Sequence, residues 1–471
     1  MQKRICVCSV AEYRNLFDEE RRCMMFLKKI KITFIQTIAL GFAGIIGLGA
    51  VFLSLPAASR DGVPIPFIDA LFTSTSATCV TGLIVYDTYT QFSYFGQMII
   101  LCLIQIGGLG FMTVAAFFLL MVHRKIGLTE RGILTDSVNA FHIGGIVKLV
   151  RRIMIGTGIL EGIGALLLAI RFCPQLGVAK GIYYAVFHSI SAFCNAGFDL
   201  MGRFSPYSSL ALYQDDILVN VTIMTLIIAG GLGFVVWSDM IEHKWQYTRY
   251  KLHTKLVLLS TIFLILIGAG LFYIMEKDNT FSGLSPIGKL MAAFFQSVTP
   301  RTAGFNTVDT ASLTQGGTIL TMLFMLVGAS PGSTGGGMKT TTIVVILLST
   351  LSYIRNEEDI NIFKRRLEKN ILKRAYCNVT LYFVLIILSL FFIMAVQELP
   401  LKDITFEVLS AIGTVGMSTG VTRELNNVSR LIILLLMYSG RIGSLTLAMA
   451  IMSRISKKPA FRNAEEKIII G

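Results

Sequence analysis

The chain of 471 residues is 54% hydrophobic and only 15% charged, and its mean hydropathy is +0.69. Soluble globular domains carry about 25% charged residues, so this composition excludes an ordinary soluble enzyme or binding module. A formal net charge of +14 would suit nucleic acid, but no basic face alternates with aromatic residues able to stack on bases. The sequence therefore predicts an all-α integral membrane protein with no nucleic-acid partner.

Basic residues are unevenly distributed along the chain, and their distribution predicts its orientation. Of the 42 lysines and arginines, 30 fall in five segments, which are 1–31, 123–152, 241–255, 352–374 and 454–471. Cytoplasmic loops of membrane proteins carry such an excess of positive charge. Both termini and the basic loops are therefore predicted to be cytoplasmic in a multi-pass protein of the cell membrane, where they also contact membrane lipid.

The elements predicted between residues 32 and 122 give the plan of one structural unit. Ile32–Leu55 and Tyr94–Val122 are each long enough to cross about 30 Å of hydrocarbon. Between them, Phe67–Ala77 follows Pro66 as a helix of about 11 residues, roughly 16 Å long, which is half a membrane. The unit is thus a span, a re-entrant half-helix, a glycine-bearing loop and a second span.

The same order recurs three more times along the chain. The matching segments are Ile153–Arg171, Tyr183–Ala192 and Ile217–Asp239; Leu256–Met275, a short helix from Ser285-Pro286 to about Ser297 and an interrupted span; and Leu372–Val396, Thr405–Ile412 and Leu431–Met452. Recurrence at a fixed period is typical of a repeat architecture. We predict four covalently joined copies, with eight spanning helices and four re-entrant half-helices around a central pore.

These copies divide the chain into six parts. Residues 1–31 form a cytoplasmic N-terminal segment, and residues 454–471 form a cytoplasmic tail. Between them the four copies occupy 32–122, 123–240, 241–354 and 355–453. The second copy includes its leading cytoplasmic loop, and the third contains an intramembrane loop near 328–340.

Each copy carries a glycine at the matching place of its loop, and successive glycines are 115, 107 and 112 residues apart. Four loops meeting on one axis can replace the hydration shell of a cation with carbonyl oxygens. Glycine permits the positive φ and the close approach that such loops need. The predicted filter comprises Val80, Thr81 and Gly82; Asn195, Ala196 and Gly197; Thr302, Ala303 and Gly304; and Thr414, Val415 and Gly416.

The neighbours of these glycines indicate which ion the loops accept. They supply no ring of Asp or Glu, which argues against a divalent-cation filter, and no ring of Lys or Arg, which argues against an anion pore. The carboxyl ends of the half-helices are predicted to point at the loops, and each carries about half a negative charge. The sequence thus predicts a monovalent cation held by backbone carbonyls, with no covalently bound cofactor.

The third copy has a helix-breaking segment inside its last span. Residues 328–337 consist only of Gly, Ala, Ser, Thr and Pro, which hold a helix poorly. The segment fails as a phosphate-binding loop because Met338 separates Gly337 from Lys339. Arg441 lies within the last span, where an arginine is costly and usually functional. We predict that Arg441 faces the cavity and contacts this segment; the alternative is a snorkelled or ion-paired side chain.

These motifs resemble those of the Trk/Ktr/HKT superfamily of potassium transporters, over a match from Ile32 to Ser453. The most specific stretches are Cys79-Val80-Thr81-Gly82-Leu83, Asn195-Ala196-Gly197-Phe198, Arg301-Thr302-Ala303-Gly304-Phe305-Asn306 and Thr414-Val415-Gly416. The Ktr-type membrane subunit is the most similar branch. The resemblance implies K⁺ selectivity and a gate formed by Gly332, Ser333, Thr334, Gly335, Gly336, Gly337 and Arg441.

The resemblance also implies partners and a mode of action. Membrane subunits of this family are usually homodimers that sit on a cytosolic ring of nucleotide-binding, RCK-type regulatory subunits. The predicted function is K⁺ uptake driven by the membrane potential, with Na⁺ as a candidate coupling or activating ion. The alternatives are a weakly selective K⁺/Na⁺ channel and a sodium-coupled potassium symporter. A membrane enzyme is disfavoured because the five histidines are scattered, and a scaffold would not need four glycine-bearing half-helices.

Overall fold

The computed structural model describes residues 33–121, 127, 132, 134, 135, 145–244, 246–357, 359–452 and 466. Within these ranges the chain is mostly helical, and its only sheet is a hairpin that pairs Asn361–Ile362 with Arg365–Arg366. The predicted helical class is thus confirmed. The N-terminal segment 1–31, nearly all of the tail 454–471 and most of the basic loop 123–152 lie outside the described residues.

The helices follow one another in the predicted order. The first copy contains α1 (Phe34–Leu53), α2 (Phe67–Thr78), α3 (Tyr94–Leu109) and α4 (Phe111–Met121). The second contains α5 (Ile146–Leu176), α6 (Val178–Phe193), α7 (Ile217–Gly231) and α8 (Phe234–His243). The third contains α9 (Leu252–Glu276), α10 (Pro286–Val298), α11 (Gln315–Leu326) and α12 (Thr340–Ile354). The fourth contains α13 (Lys369–Val396), α14 (Leu401–Gly413), α15 (Asn427–Ile442) and α16 (Ser444–Met452).

Short turns also connect these helices. They are the helical turn Thr88–Gln91 and the 3₁₀ turns Pro56–Ala58, Met201–Arg203, Ala211–Tyr213, Tyr247–Arg249 and Val421–Arg423. Helices α1, α5, α9 and α13 are each long and apolar enough to cross a membrane. They correspond to the first predicted span of each copy.

The second span of three copies is bent, whereas the sequence predicted continuous helices over Tyr94–Val122, Ile217–Asp239 and Leu431–Met452. The pairs α3/α4, α7/α8 and α15/α16 each bend by 95°. Gly110, Gly233 and Gly443 lie at the three breaks with φ of +80°, +96° and +96°. A right-handed helix cannot pass through such a residue, so each span ends there and restarts in a new direction.

In the third copy the corresponding break is a whole loop. Helices α11 and α12 flank residues 327–339, which have no helical assignment. The predicted interruption near 328–340 is therefore present in the structure. Each of the four predicted second spans is thus interrupted, three at a glycine and one at a loop of 13 residues, 327–339.

The four short helices differ slightly from the predicted bounds. Helix α10 begins as expected, because the Ser285 hydroxyl accepts a hydrogen bond from the Gly288 N–H and Pro286 occupies the first turn. Helix α6 starts earlier than predicted, directly after Gly177, whose φ of +84° ends α5. Helix α14 also starts earlier, directly after Pro400. Periodicity alone did not reveal these first turns.

A repeated contact packs the short helices against the first spans. The hydroxyls of Ser74, Ser189 and Ser297 donate to the carbonyl oxygens of Ile46, Glu161 and Ile265 at 2.7, 2.7 and 2.9 Å. Three residues after each acceptor stands a glycine, namely Gly49, Gly164 and Gly268, and a side chain there would collide with the serine hydroxyl. Small residues let helices approach closely in membranes. A serine-to-carbonyl hydrogen bond beside a glycine therefore positions α2, α6 and α10 in the same way.

Candidate functional site

The four glycines of the predicted filter form a closed ring. A Cβ added at Gly82, Gly197 or Gly304 would lie 2.5–2.7 Å from a carbonyl oxygen of the next copy, and one at Gly416 would lie closer still to the first copy. The carbonyl oxygens met in turn belong to Ala196, Ala303, Val415 and Thr81. Real Cβ atoms do not approach other atoms within 3.0 Å. The loops thus meet in the order one, two, three, four and back to one, at a separation that only glycine permits.

The backbone of the four loops is strained in the same way. Each ring glycine has a positive φ, between +69° and +94°. The residue two positions earlier also has a positive φ in every loop, at Val80 (57°), Asn195 (60°), Thr302 (73°) and Thr414 (50°). Such values are uncommon outside glycine and strained for a β-branched residue. They persist where the surrounding structure fixes them, which is typical of a functional site.

Hydroxyl groups at the ends of the short helices hold the ring in place. In the first and fourth copies the N–H groups of Gly82 and Gly416 each donate to a serine hydroxyl, of Ser76 and Ser410, at 3.1 Å. In the second and third copies the hydroxyl instead donates to the carbonyl of the residue after the glycine. These bonds join Ser191 to Phe198 at 2.7 Å and Thr299 to Phe305 at 2.6 Å.

A cavity of about 330 Å³ opens on one side of the ring and contains all four glycines in its wall. Asp199, Asp309 and Arg423 also line this cavity. Partial burial, with a further contribution from nearby Asp87, raises the pKa of Asp199. The cavity is therefore a polar mouth in which uncharged carbonyls and hydroxyls outnumber full charges.

The helix-breaking segment lies against the ring on the side away from this cavity. The Thr334 hydroxyl donates to the Phe193 carbonyl at 3.1 Å and lies 3.2 Å from the side-chain amide of Asn195. A Cβ at Gly335 or Gly336 would collide with the hydroxyls of Thr302 and Thr414. The segment thus touches three of the four residues that stand two positions before a ring glycine.

Arg441 and Lys339 bind the backbone of this segment. The Arg441 guanidinium donates to the carbonyl oxygens of Thr334, Gly107 and Gly108, the last at 2.9 Å. The Lys339 ammonium donates to the carbonyls of Gly335 and Gly336 at 2.7 and 3.1 Å. Neither cation forms an ion pair with a carboxylate in the part of the chain that the structure describes. Carbonyl dipoles therefore hold both charges in place.

A second cavity, of about 140 Å³, opens beside these cations. Its wall includes Gly332, Gly335, Lys339 and Arg441, together with the bend residues Gly110 and Gly443. Gly332 also fixes one bend, because its carbonyl accepts a hydrogen bond from the Phe234 N–H at 2.8 Å. The ring thus lies between two cavities, and the segment 332–337 separates it from the second.

Two further polar clusters were not predicted from the sequence. Asp69 in α2 pairs with Arg430 in α15 at 2.5 Å and accepts a hydrogen bond from the Tyr86 hydroxyl at 3.0 Å. Glu407 in α14 accepts hydrogen bonds from the hydroxyls of Ser418 and Thr422. The sequence signal for both clusters is a carboxylate inside a half-helix at membrane depth. Such a residue is costly to bury and is therefore expected to have a polar partner or a functional role.

Four helices long and apolar enough to cross a membrane, together with a ring of backbone loops, indicate a membrane protein. The comparison with family models then gives its class. Residues 48–459 match the TrkH family, described as cation transport proteins. The chain belongs to this family.

The relatives and a solved structure agree with this assignment. The chain is 41% identical over 423 residues to Ktr system potassium uptake protein B of Bacillus subtilis, covering 89% of this chain and 93% of the relative. It is 38% identical to potassium/sodium uptake protein NtpJ of Enterococcus hirae, covering 94% and 98%. The crystal structure of the potassium transporter TrkH from Vibrio parahaemolyticus superposes with a TM-score of 0.70 at 19% identity, covering 90% of this chain and 86% of that chain. The resemblance to the Trk and Ktr proteins is thus confirmed.

Proposed function

We propose that this protein is the membrane subunit of a potassium uptake system and that K⁺ crosses the ring of Gly82, Gly197, Gly304 and Gly416. The closed ring carries this proposal, because four loops with paired positive φ values can direct carbonyl oxygens to one axis. The four copies, at 32–122, 123–240, 241–354 and 355–453, are then quasi-equivalent quarters of one pore. The carbonyls of the twelve predicted filter residues would bind the ion, which is cargo rather than a resident cofactor.

Two observations favour K⁺ over other ions. The ring is lined by backbone groups without a full charge, which suits a monovalent cation better than a divalent one. In addition, the relatives in Bacillus subtilis and Enterococcus hirae are both named for potassium uptake.

The segment 332–337 is proposed to close the pore below the ring. Its support is the contact with Asn195, Thr302 and Thr414. Arg441 would stabilise this closed position through the Thr334 carbonyl and would add a positive barrier on the ion path. Opening requires that these hydrogen bonds break together, which gives a gate with two discrete positions.

Regulation and assembly are proposed from the names of the relatives and from the charge distribution. The term Ktr system implies further subunits, and we propose a homodimer that docks on a cytosolic, nucleotide-binding regulatory ring through the basic loops. The membrane potential would drive uptake, since moving one charge through 100 mV is worth about 2.3 kcal/mol.

A second candidate function is a transporter that carries or uses Na⁺ as well as K⁺. The observation that favours it is the name of the Enterococcus hirae relative, a potassium/sodium uptake protein, at 38% identity. The two candidates share the pore and differ in how strongly the ring prefers K⁺.

Ion uptake into liposomes tests both candidates. The purified protein is reconstituted, a potential is imposed with an ionophore, and Rb⁺ uptake is measured against increasing external K⁺ or Na⁺. Potassium is expected to compete far better than sodium. Equal competition would favour the second candidate, and uptake no faster than in empty liposomes, with or without a regulatory partner, would refute a transport function.

A further inference from the structure

Glu407 stands behind the fourth filter loop rather than in it. Its side chain is almost completely buried, with 1% of its surface exposed. One carboxylate oxygen accepts the Ser418 hydroxyl at 2.9 Å, and the other accepts the Thr422 hydroxyl. The Ser418 and Thr422 hydroxyl oxygens lie 3.1 Å from each other. The carboxylate therefore connects α14 to the loop segment 417–422, which follows the ring glycine Gly416.

This loop segment forms part of the outer wall of the pore. Ser418 and Thr422 line the same cavity as the four ring glycines. Gly420, between them, has a φ of +105°, and its N–H donates to the Ser418 hydroxyl at 2.9 Å. Glu407 therefore fixes the segment that directly follows the ring glycine of the fourth copy.

A second ionisable side chain occupies the matching place in the second copy. His188 lies nine residues before Gly197, as Glu407 lies nine before Gly416. His188 is fully buried, and its Nε2 accepts the Leu200 N–H at 3.3 Å while Nδ1 lies 2.7 Å from the Tyr184 carbonyl. His188 thus also connects a half-helix to the loop segment that follows a ring glycine. The first and third copies carry Thr73 and Phe295 there, and neither makes such a bond.

The order of loops around the ring places the second and fourth copies opposite each other. We infer that Glu407 and His188 are positioning residues. They hold the loop segments that follow two opposite ring glycines and thereby set the preference of the filter for K⁺ over Na⁺. Neither side chain touches the ion in this scheme. Because removing one partner of a buried hydrogen bond leaves the other unsatisfied, its loss releases one loop segment while the rest of the ring stays assembled.

The test compares ion preference with total flux, and it rests on the proposed transport function. In liposomes, Glu407→Ala is expected to lower the ratio of K⁺ to Na⁺ permeability about tenfold. Glu407→Gln is expected to stay within about threefold of the unsubstituted protein, because its amide can still accept from one hydroxyl and donate to the other. Glu424→Ala is the matched control, since Glu424 is an exposed carboxylate in the same loop. It should leave the ratio unchanged.

The possible results are separable. If the unsubstituted protein transports no K⁺, the proposed function fails. If it transports K⁺ selectively and Glu407→Ala lowers both ion fluxes equally, the residue is merely structural and the inference is wrong. Equal loss of preference in the Gln and Ala variants would assign the effect to charge instead of positioning. A variant at the opposite anchor, His188→Ala, must also shift the ratio, or the paired role of the two side chains is refuted.

Discussion

Replacing Gly82 by serine tests the ring directly. Gly82 has a φ of +94°, and a Cβ there would lie 2.5 Å from the Ala196 carbonyl oxygen. That oxygen must retreat by at least 0.5 Å to reach the 3.0 Å that real Cβ contacts require. A left-handed backbone costs a non-glycine residue about 1–2 kcal/mol. The displaced carbonyl belongs to the second copy, so the change alters the ring beyond the mutated loop.

The expected consequence is a loss of selectivity greater than the loss of folding. A difference of about 1.4 kcal/mol between the two bound ions is a factor of ten, and we expect Gly82→Ser to lower the K⁺/Na⁺ permeability ratio by about this much. The assay is Rb⁺ uptake into liposomes with K⁺ or Na⁺ as competitor, and elution of the purified protein as a single species checks folding.

The control is Gly44→Ser in α1, where a new side chain meets nothing within 4 Å. It should transport with unchanged preference. If Gly82→Ser also kept its ion preference while folding normally, carbonyl spacing at the ring would not determine selectivity. The proposed filter would then be wrong.

Three other predictions concern the proposed gate segment 332–337, Arg441, and the ion pair between Asp69 and Arg430. Deleting residues 332–337 should raise ion flux in the absence of any regulator, because the segment no longer covers the ring; unaltered flux in uptake assays would contradict the gate. Arg441→Gln should also raise basal flux, by weakening the bond to the Thr334 carbonyl, and a fall in flux at normal protein level would argue for a purely conducting role. Asp69→Asn should destabilise the protein by about 3–5 kcal/mol, because it leaves the largely buried Arg430 without its carboxylate partner. The double variant Asp69→Asn/Arg430→Gln should be more stable to heat than the single one, and an equal or lower melting temperature would refute this account.

The helices and the ring glycines could be predicted from the sequence because their causes are local. The length of an apolar run is enough to predict a spanning helix. A position that has a positive φ and no space for a Cβ requires glycine, so a glycine that recurs in each loop predicts such a position. The bends at Gly110, Gly233 and Gly443 follow from the same residue type but were not predicted. A glycine in an apolar helix is compatible with straight packing as well as with a break, and the choice depends on neighbours such as the segment that pairs with Phe234.

The anchors around the ring required the tertiary structure because their partners are distant or depend on a folded loop. Asp69 and Arg430 are 361 residues apart in the chain, and no spacing rule connects them. Glu407 and Thr422 are only 15 residues apart. They nevertheless come into contact only because the intervening loop turns back over α14.

The sequence by itself thus determined an α-helical membrane protein with four recurring glycine loops, since hydrophobicity and backbone freedom are properties of single residues. Only the folded chain decided in which order and at what separation those loops meet, where the spans bend, and which buried charges hold the loops. These outcomes depend on contacts between copies, and such contacts exist only once the helices have packed.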